Sequence, residues 1–176
     1  MVVARLDRPT RVRFKLKKQA HLLVDGYNVI LGLPQLKDIF QRDKESSRDE
    51  LGRIARNIHD ANGMRITVVF DGSGVDHEIV RPGQELTFSY FFSSASASAD
   101  SLIESLLREA PDPSLVTVVT RDRAILHFAL EIEANVMSPD QMVTWSIRSA
   151  SEEQGQASRT RDAGEEPFGT DLDVLV

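Results

Sequence analysis

The feature that most constrains this chain is a short apolar run that leads into an aspartate, and it occurs three times. The runs and their acids are 22–24 with Asp25, 68–70 with Asp71, and 116–119 with Asp122. Short runs rich in β-branched residues are typical of strands buried on both faces of a parallel sheet. Because parallel strands end at the same edge of their sheet, we expect the three carboxylates to lie near one another.

Helical segments separate these runs. Apolar residues recur at helical spacing over 51–58 and again over 102–107, and a further helix is predicted over 123–133. Strands that alternate with helices of this length predict an α/β protein. We expect a mainly parallel central sheet with helices on both faces and right-handed crossovers.

Local signals predict where several elements begin and end. Ser46 or Ser47 is the expected N-cap of the helix that contains 51–58, and Gly63 is expected to end that helix in the left-handed conformation. The remaining predictions are turns at 25–34 and 71–74, a short helix or loop at 35–43, strands at 77–81 and 86–92, and a serine-rich loop at 93–98.

Charge divides the chain into one domain and two ends. The 176 residues suffice for one domain with a buried core. Residues 1–18 form a basic arm, 19–148 are predicted to fold, and the acidic tail 149–176 is predicted to be disordered. A basic arm is a candidate contact for nucleic-acid phosphates through counterion release, and a solvated terminus is the alternative.

Composition excludes several kinds of site. The chain has no cysteine, which rules out a disulfide scaffold, a thiol nucleophile and a thiolate zinc site, and which fits a reducing cytoplasm. It contains no apolar run of membrane-spanning length and no apolar core of a secretory signal near its basic N-terminus. It lacks the phosphate-binding G-x-x-x-x-G-K-[ST] loop, a G-x-G-x-x-G loop that opens a helix, and a G-x-S-x-G elbow. We therefore predict a cytoplasmic protein without a membrane partner.

Each acid, taken singly, has an ordinary structural explanation. Asp25 and Asp71 each precede a glycine, as in many turns. Asp122 is a natural N-cap for the helix that follows it. Ser101 and Glu104 have the spacing of a capping box, in which the glutamate only reaches back to the backbone.

Taken together, the acids indicate a metal site. Asp25, Asp71 and Asp122 occupy equivalent positions after three strands, and Asp100 opens the helix between the second and third. Clustered carboxylates repel one another and lose solvation, and a divalent cation offsets both costs. Oxygen ligands suit Mg²⁺ or Mn²⁺, whereas the lack of cysteine and the scattered histidines argue against zinc.

Four blocks of sequence resemble those of a known family. They are Val-Asp-Gly-Tyr-Asn at 24–28, Val-Phe-Asp-Gly at 69–72, Ser-Ala-Asp-Ser-Leu-Ile-Glu at 98–104, and Val-Thr-Arg-Asp at 119–122. In this order and spacing they resemble NYN domains, most closely the YacP-like branch, within the wider PIN-like nuclease superfamily. The likeness extends over residues 21–140.

The resemblance implies a three-layer α/β/α, Rossmann-like PIN/NYN fold with a mainly parallel central sheet. It implies an endoribonuclease that uses Mg²⁺ or Mn²⁺ to cut single-stranded RNA, leaving a 3′-hydroxyl and a 5′-phosphate, with links to mRNA turnover on the ribosome. The roles it carries over are Asp25 as first metal ligand, Asn28 as the group that orients Asp25 or the scissile phosphate, Asp71, Asp100 and Asp122 as the rest of the acidic cluster, and Glu104 and Ser101 as outer-shell residues.

RNA contacts are predicted from aromatic and basic residues. Tyr27 or Phe92 is a candidate for stacking a base, with core packing as the alternative for Phe92. The candidate RNA-binding residues are Tyr27, Arg121, Arg123, Arg11, Arg13, Lys15 and Lys17.

Three departures from the family pattern support alternatives to an active nuclease. Ser101 stands where the family often has a second acid, Arg121 stands where it usually has serine, and the acidic tail replaces a basic helical region. The main alternative is a catalytically weakened RNA- or ribosome-binding module of the same fold. A third hypothesis is an interaction protein that works through its acidic tail.

Overall fold

The computed structural model describes residues 19–83 and 85–162, with only the backbone described at 153 and 155–162. The strands in this part of the chain are β1 His21–Asp25, β2 Arg65–Gly74, β3 Glu78–Val80, β4 Phe88–Ser94, β5 Val116–Val119 and β6 Asn135–Met137. The helices are α1 Gly26–Gly32, α2 Pro34–Arg42, α3 Lys44–Asn62, α4 Ala99–Arg108, α5 Arg123–Glu131 and α6 Pro139–Asp162, with a 3₁₀ turn at Pro113–Leu115.

The strands form one six-stranded sheet in the order β3-β4-β2-β1-β5-β6. All neighbouring pairs are parallel except β3 and β4, which are antiparallel. The predicted α/β architecture with a mainly parallel sheet is therefore confirmed. Strand β1 lies between β2 and β5, so Asp25 ends a strand in the middle of the sheet.

Two apolar cores cover the two faces of the sheet. Leu22 and Val24 of β1 pack with side chains of α1, α2, α3 and α6 on one face. Leu23 packs on the opposite face with side chains of α4 and α5. This alternation follows from the two-residue period of a strand, and it gives the three layers that the resemblance implies.

The two predicted turns are regular structure instead. Helix α1 begins directly after Asp25, because the glycine at position 26 lets the chain pass against the ring of Phe70, where a Cβ would collide. Strand β2 continues through Asp71 to Gly74, because Gly74 pairs with Ser94 of β4 after a register shift. The extension of β2 depends on pairing with β4, a strand distant in sequence, and no local sequence signal predicts it.

The cap of α3 lies earlier than predicted. Asp43, rather than Ser46 or Ser47, is the N-cap, and its side chain accepts a hydrogen bond from the Glu45 backbone N–H at 2.9 Å. Ser46 donates its hydroxyl to the same carboxylate. The predicted left-handed end of the helix is confirmed at Gly63, where φ is 59°.

Two boundaries differ from prediction at the far ends of elements. Strand β4 begins at Phe88, since Leu86 is 75% exposed and lies outside the ladder. The prediction of a disordered tail from 149 is wrong for residues 149–162, which continue helix α6. Ser149 is buried and accepts a hydrogen bond from Asn62 Nδ2 at 3.3 Å, which fixes the helix beyond 148. The basic arm and residues 163–176 lie outside the described residues.

Among the described helices, none combines the length and the apolar character needed to span a membrane.

Candidate functional site

The four predicted acids lie at the carboxyl-terminal edge of the parallel strands. Asp25 ends β1, Asp71 follows Phe70 in β2, and Asp122 lies between β5 and α5. Asp100 is the second residue of α4, whose first residue donates its backbone N–H to Asp71 Oδ1 at 2.8 Å. This hydrogen bond brings the N-terminus of α4 to the end of β2.

Asp25 is the most buried of these acids, with 4% of its surface exposed. Burial raises the pKa of Asp25 to about 6, and the negative charges of Asp100 and Asp122 act in the same direction. The hydrogen bond from the Thr120 hydroxyl opposes this rise in the pKa, because it stabilises the ionised form. Asp25 therefore ionises near pH 6, and the charges of Asp100 and Asp122 influence that ionisation.

Thr120 connects Asp25 to Asp122. Its hydroxyl donates to Asp25 Oδ2 at 2.7 Å and accepts the Asp122 backbone N–H at 3.0 Å. Thr120 is buried, so this hydrogen bond is shielded from water. Thr120 was not among the predicted site residues. The available signal was a hydroxyl two residues before a helix-capping aspartate, where such side chains often close a local turn.

Asp122 is the N-cap of α5, as predicted. Its Oδ1 accepts the backbone N–H groups of Ala124 at 2.7 Å and Ile125 at 3.2 Å. Within the described residues, no hydrogen bond ends on its Oδ2. The capping role fixes the carboxylate and leaves one oxygen available.

Asp100 is exposed and makes no hydrogen bond or ion pair with another described residue. Its pKa is raised, first by partial desolvation and then by the charges of Asp122, Asp71 and Glu104. The charge of Asp122 thus acts on both Asp25 and Asp100, and that of Asp71 acts on Asp100.

Asn28 and Arg121 form a contact between α1 and the β5–α5 connection. Asn28 Oδ1 accepts the Arg121 backbone N–H at 2.7 Å, and Arg121 Nη1 donates to the Gly32 carbonyl oxygen at 2.7 Å. The guanidinium thus binds the carboxyl end of α1 and makes no ion pair with any described acid. The Asn28 side chain thus positions the peptide next to Asp122.

Glu104 and Ser101 both have local partners. Glu104 pairs with Arg108 at 3.2 Å rather than reaching back to the backbone of its own helix. Ser98 is the N-cap of α4, and its hydroxyl accepts the Ser101 backbone N–H at 3.1 Å. Their outer-shell role stays a prediction.

The four aspartates carry the ligand atoms that a hard divalent cation prefers, but their side chains are too far apart to bind one ion together. All the donors are carboxylate oxygens, which Mg²⁺ and Mn²⁺ prefer. No ion pair in the described part of the chain neutralises Asp25, Asp71, Asp100 or Asp122. However, no three acidic or histidine side chains among the described residues are close enough to hold one ion together. A cation would therefore require the carboxylates to draw in.

The predicted RNA-binding side chains do not share one place. Tyr27 packs at the edge of the core against Phe40 and Phe70, and Lys44 lies 4.4 Å from its ring centre. Phe92 also packs against the core, which agrees with the alternative given for it. Arg123 is exposed at the start of α5. The residues Arg11, Arg13, Lys15 and Lys17 lie outside the described residues.

A groove of about 200 Å³ lies away from the acids, between α2, α3 and α6. It is lined largely by apolar side chains, among them Leu36, Ile39, Ile54, Val143 and Ile147. None of the predicted catalytic residues lines it, so we place the candidate site at the acidic edge of the sheet.

Comparison with known proteins gives matches of sequence and of fold. Residues 22–173 match the profile of the YacP-like NYN domain. The chain is 35% identical to uncharacterized protein YacP from Bacillus subtilis (strain 168) over 88 residues, which are 48% of this chain and 49% of that protein. The match thus spans about half the length of that relative.

Two solved structures of Rae1 (YacP) from Bacillus subtilis are similar to the whole fold. The crystal structure of a mutant form matches with a TM-score of 0.65 and 23% identity, covering 83% of this chain and 86% of that one. A second crystal structure matches with a TM-score of 0.60 and 26% identity, covering 82% and 84%.

Proposed function

Because this chain belongs to the YacP-like NYN family, a nuclease-family domain, we propose that it is a metal-dependent endoribonuclease that cuts single-stranded RNA. The observation that carries the proposal is the set of four carboxylates at one sheet edge. The charges of the other acids help to raise the pKa values of Asp25 and Asp100, and no described cation forms an ion pair with any of the four. Like charges and desolvation destabilise clustered carboxylates, and groups with perturbed pKa values are concentrated at functional sites.

The side chains divide the work according to their surroundings. Asp25 is held by the hydrogen bond from the Thr120 hydroxyl, which orients its ionised form. Asp122 is held through Oδ1 by the start of α5, and within the described residues its other oxygen has no hydrogen bond. Asp100 has no competing partner among the described residues, and Asp71 anchors the helix that carries it.

Mg²⁺ or Mn²⁺ bound by Asp25, Asp100 and Asp122, with Asp71 assisting, would activate water and offset the charge that develops on the phosphate. The chain's own contribution is to supply these oxygens and to hold Asp25 ionised above about pH 6. In-line attack on phosphorus would leave a 3′-hydroxyl and a 5′-phosphate without use of the 2′-hydroxyl. A splayed single strand gives the acidic edge access to one phosphodiester.

The test is cleavage of an end-labelled single-stranded RNA by purified protein in Mg²⁺, Mn²⁺ or EDTA. We expect cutting with either ion and none in EDTA, and we expect Asp25→Asn to abolish it while the circular dichroism spectrum is unchanged. The matched control is Asp38→Asn, which alters an exposed aspartate of α2. Equal cleavage in EDTA, or by the Asp25 variant, would contradict the proposal.

The second candidate is an RNA-binding module that does not cut. It is favoured by the spacing of the acids, since no three of those described are close enough to share an ion. Ser101 and Arg121, the two departures from the family pattern, favour it as well. RNA bound equally with and without Mg²⁺, and never cleaved, would select this candidate. A ribosome-bound mRNA as substrate and a cytoplasmic location stay predictions.

A further inference from the structure

Helix α3 carries a stripe of residues, spaced four apart, that lies over a row of aromatic rings. Each member faces its own ring, and the distances are from the cationic group to the ring centre. The pairs are Lys44 over Tyr27 at 4.4 Å, Arg48 over Phe92 at 5.8 Å, Gly52 against Tyr90, and Arg56 over Phe88 at 3.9 Å. Residues four apart lie on the same side of a helix, which is why the stripe is continuous.

Among the described residues, the ion pairs along this stripe lie at one end only. Arg56 has two acidic partners, Asp60 at 3.9 Å and Glu85 at 3.6 Å. Lys44 and Arg48 form no ion pair with any described acid, although the pKa of Asp43, lowered chiefly by a side-chain hydrogen bond, is lowered further by the charge of Arg48. Lys44 is exposed and Arg48 is half-buried, so both can present N–H groups to a ligand.

The unpaired end adjoins the acidic edge of the sheet. Phe92 stacks on Phe70 with ring centres 5.6 Å apart, and Tyr27 lies 4.9 Å from the same ring. Asp71 directly follows Phe70, and Tyr27 lies two residues after Asp25. The two cations therefore lie on the far side of the rim that carries the carboxylates.

We infer that Lys44 and Arg48 bind backbone phosphates of the single-stranded RNA that flanks the cleaved bond. This inference rests on the proposed function and adds the path of the strand. The acidic edge repels phosphate, so a strand needs cations elsewhere along its path, and these two lie over rings that adjoin that edge, outside any described ion pair. The rings hold the cations in place by cation–π contact, since their inner sides pack into the core.

The experiment measures binding of a fluorescein-labelled 12-mer oligouridylate by anisotropy, at several salt concentrations. The background is Asp25→Asn, which prevents cleavage. We expect Lys44→Gln and Arg48→Gln each to weaken binding about fivefold at low salt. We also expect each to lower the slope of log affinity against log salt by about 0.7. Arg48→Lys keeps the charge and should keep the slope.

The matched control is Arg53→Gln, which removes the same charge from the same helix. Arg53 is paired with Glu50 at 2.5 Å, so we expect its variant to bind as the background protein does. Variants of Lys44 and Arg48 that behave like the Arg53 variant, with or without a loss of thermal stability, would overturn the inference. So would displacement of the RNA by an oligoglutamate of equal length, because the surface would then bind acidic peptides.

A parallel cleavage assay with the otherwise unaltered protein separates this inference from the proposed function. If the protein binds RNA through Lys44 and Arg48 but never cuts it, the proposed nuclease activity is contradicted and the RNA-binding surface is supported. If the protein cuts RNA but the two variants bind RNA as tightly as the background protein, the nuclease activity is supported and the RNA-binding surface is contradicted. Protein that binds no RNA would overturn both.

Discussion

Half-buried His21 and buried Asp25, the first and last residues of β1, have pKa values shifted in opposite directions. Burial lowers the pKa of His21 to about 4, with Arg65 adding to the effect, and burial raises the pKa of Asp25 to about 6. Between about pH 4 and 6.5, His21 is neutral in the folded protein and charged in the unfolded chain, so its effect on stability rises with pH. Asp25 is protonated in the folded protein and charged in the unfolded chain between 3.8 and about 6, so its effect falls as pH rises.

Replacing Asp25 by asparagine should expose this balance. A shift of about two pKa units corresponds to about 3 kcal/mol, so we expect Asp25→Asn to be more stable than the unaltered protein by up to that amount at pH 7.5 in EDTA. At pH 4 the two should differ little, because Asp25 is then protonated in the fold. Urea denaturation at both pH values measures the difference. An equal difference at pH 4 and 7.5 would contradict the assigned shift.

Thr120 should affect both stability and the pH dependence of cleavage. Thr120→Val keeps the shape but removes the hydrogen bond to Asp25 and the acceptor for the Asp122 N–H, which we expect to cost about 1–3 kcal/mol. It should also raise the pKa of Asp25 further, so that the acidic limb of the cleavage profile moves to higher pH. Thr117→Val in the preceding strand β5 is the control, and Thr120→Ser should restore the profile. A limb that does not move would assign Thr120 a purely structural role.

At the scale of elements, α3 depends on a glycine in its middle. Alanine is normally the better helix former by about 1 kcal/mol, but a Cβ at position 52 would collide with the Tyr90 hydroxyl oxygen. We therefore expect Gly52→Ala to lower the free energy of unfolding by about 1–3 kcal/mol. Tyr90→Phe removes the hydroxyl, so Gly52→Ala should cost less in that background. A double-mutant cycle without coupling would show that the contact is not the cause.

Periodicity identified the elements whose apolar faces are buried, and it missed what distant partners decide. Helices α4 and α5 and the buried strands were found because Leu102, Ile103 and Ile125 recur at core positions. The extension of β2 was missed because it depends on pairing with β4. Helix α1 was missed because its sequence is short and its first residue is a glycine that also favours turns.

The site was predictable in the same degree. The positions of the acids at the sheet edge could be predicted because each follows an apolar run or opens a helix, which the sequence displays. Thr120 and the side-chain contact of Asn28 with Arg121 were not found, because they join residues 95 and 93 positions apart. Such contacts exist only once β1 and β5 are neighbours in the sheet.

For the whole molecule, the length of α6 is a measurable part of stability. A chain that ends at Arg148 loses buried Ser149 and its hydrogen bond with Asn62, whereas one that ends at Asp162 keeps them. We expect the shorter chain to unfold at lower urea concentration, with a loss of about 1–2 kcal/mol. Ser149→Ala in the full chain isolates the hydrogen bond from the rest of the truncation. Superimposable unfolding curves for the two truncated chains would show that the domain ends near 148.

The alternation of β1 and β2 has a consequence for what this molecule can hold. Asp25 and Asp71 lie on the side of α4 and α5, whereas Lys44 and Arg48 lie on the side of α3. A polymer that contacts both the two aspartates and the two cations has to bend around the edge of the sheet that separates them. An unpaired strand bends that sharply and a double helix does not. On the proposed binding path, the fold would therefore favour single-stranded over double-stranded nucleic acid through flexibility, independently of base sequence.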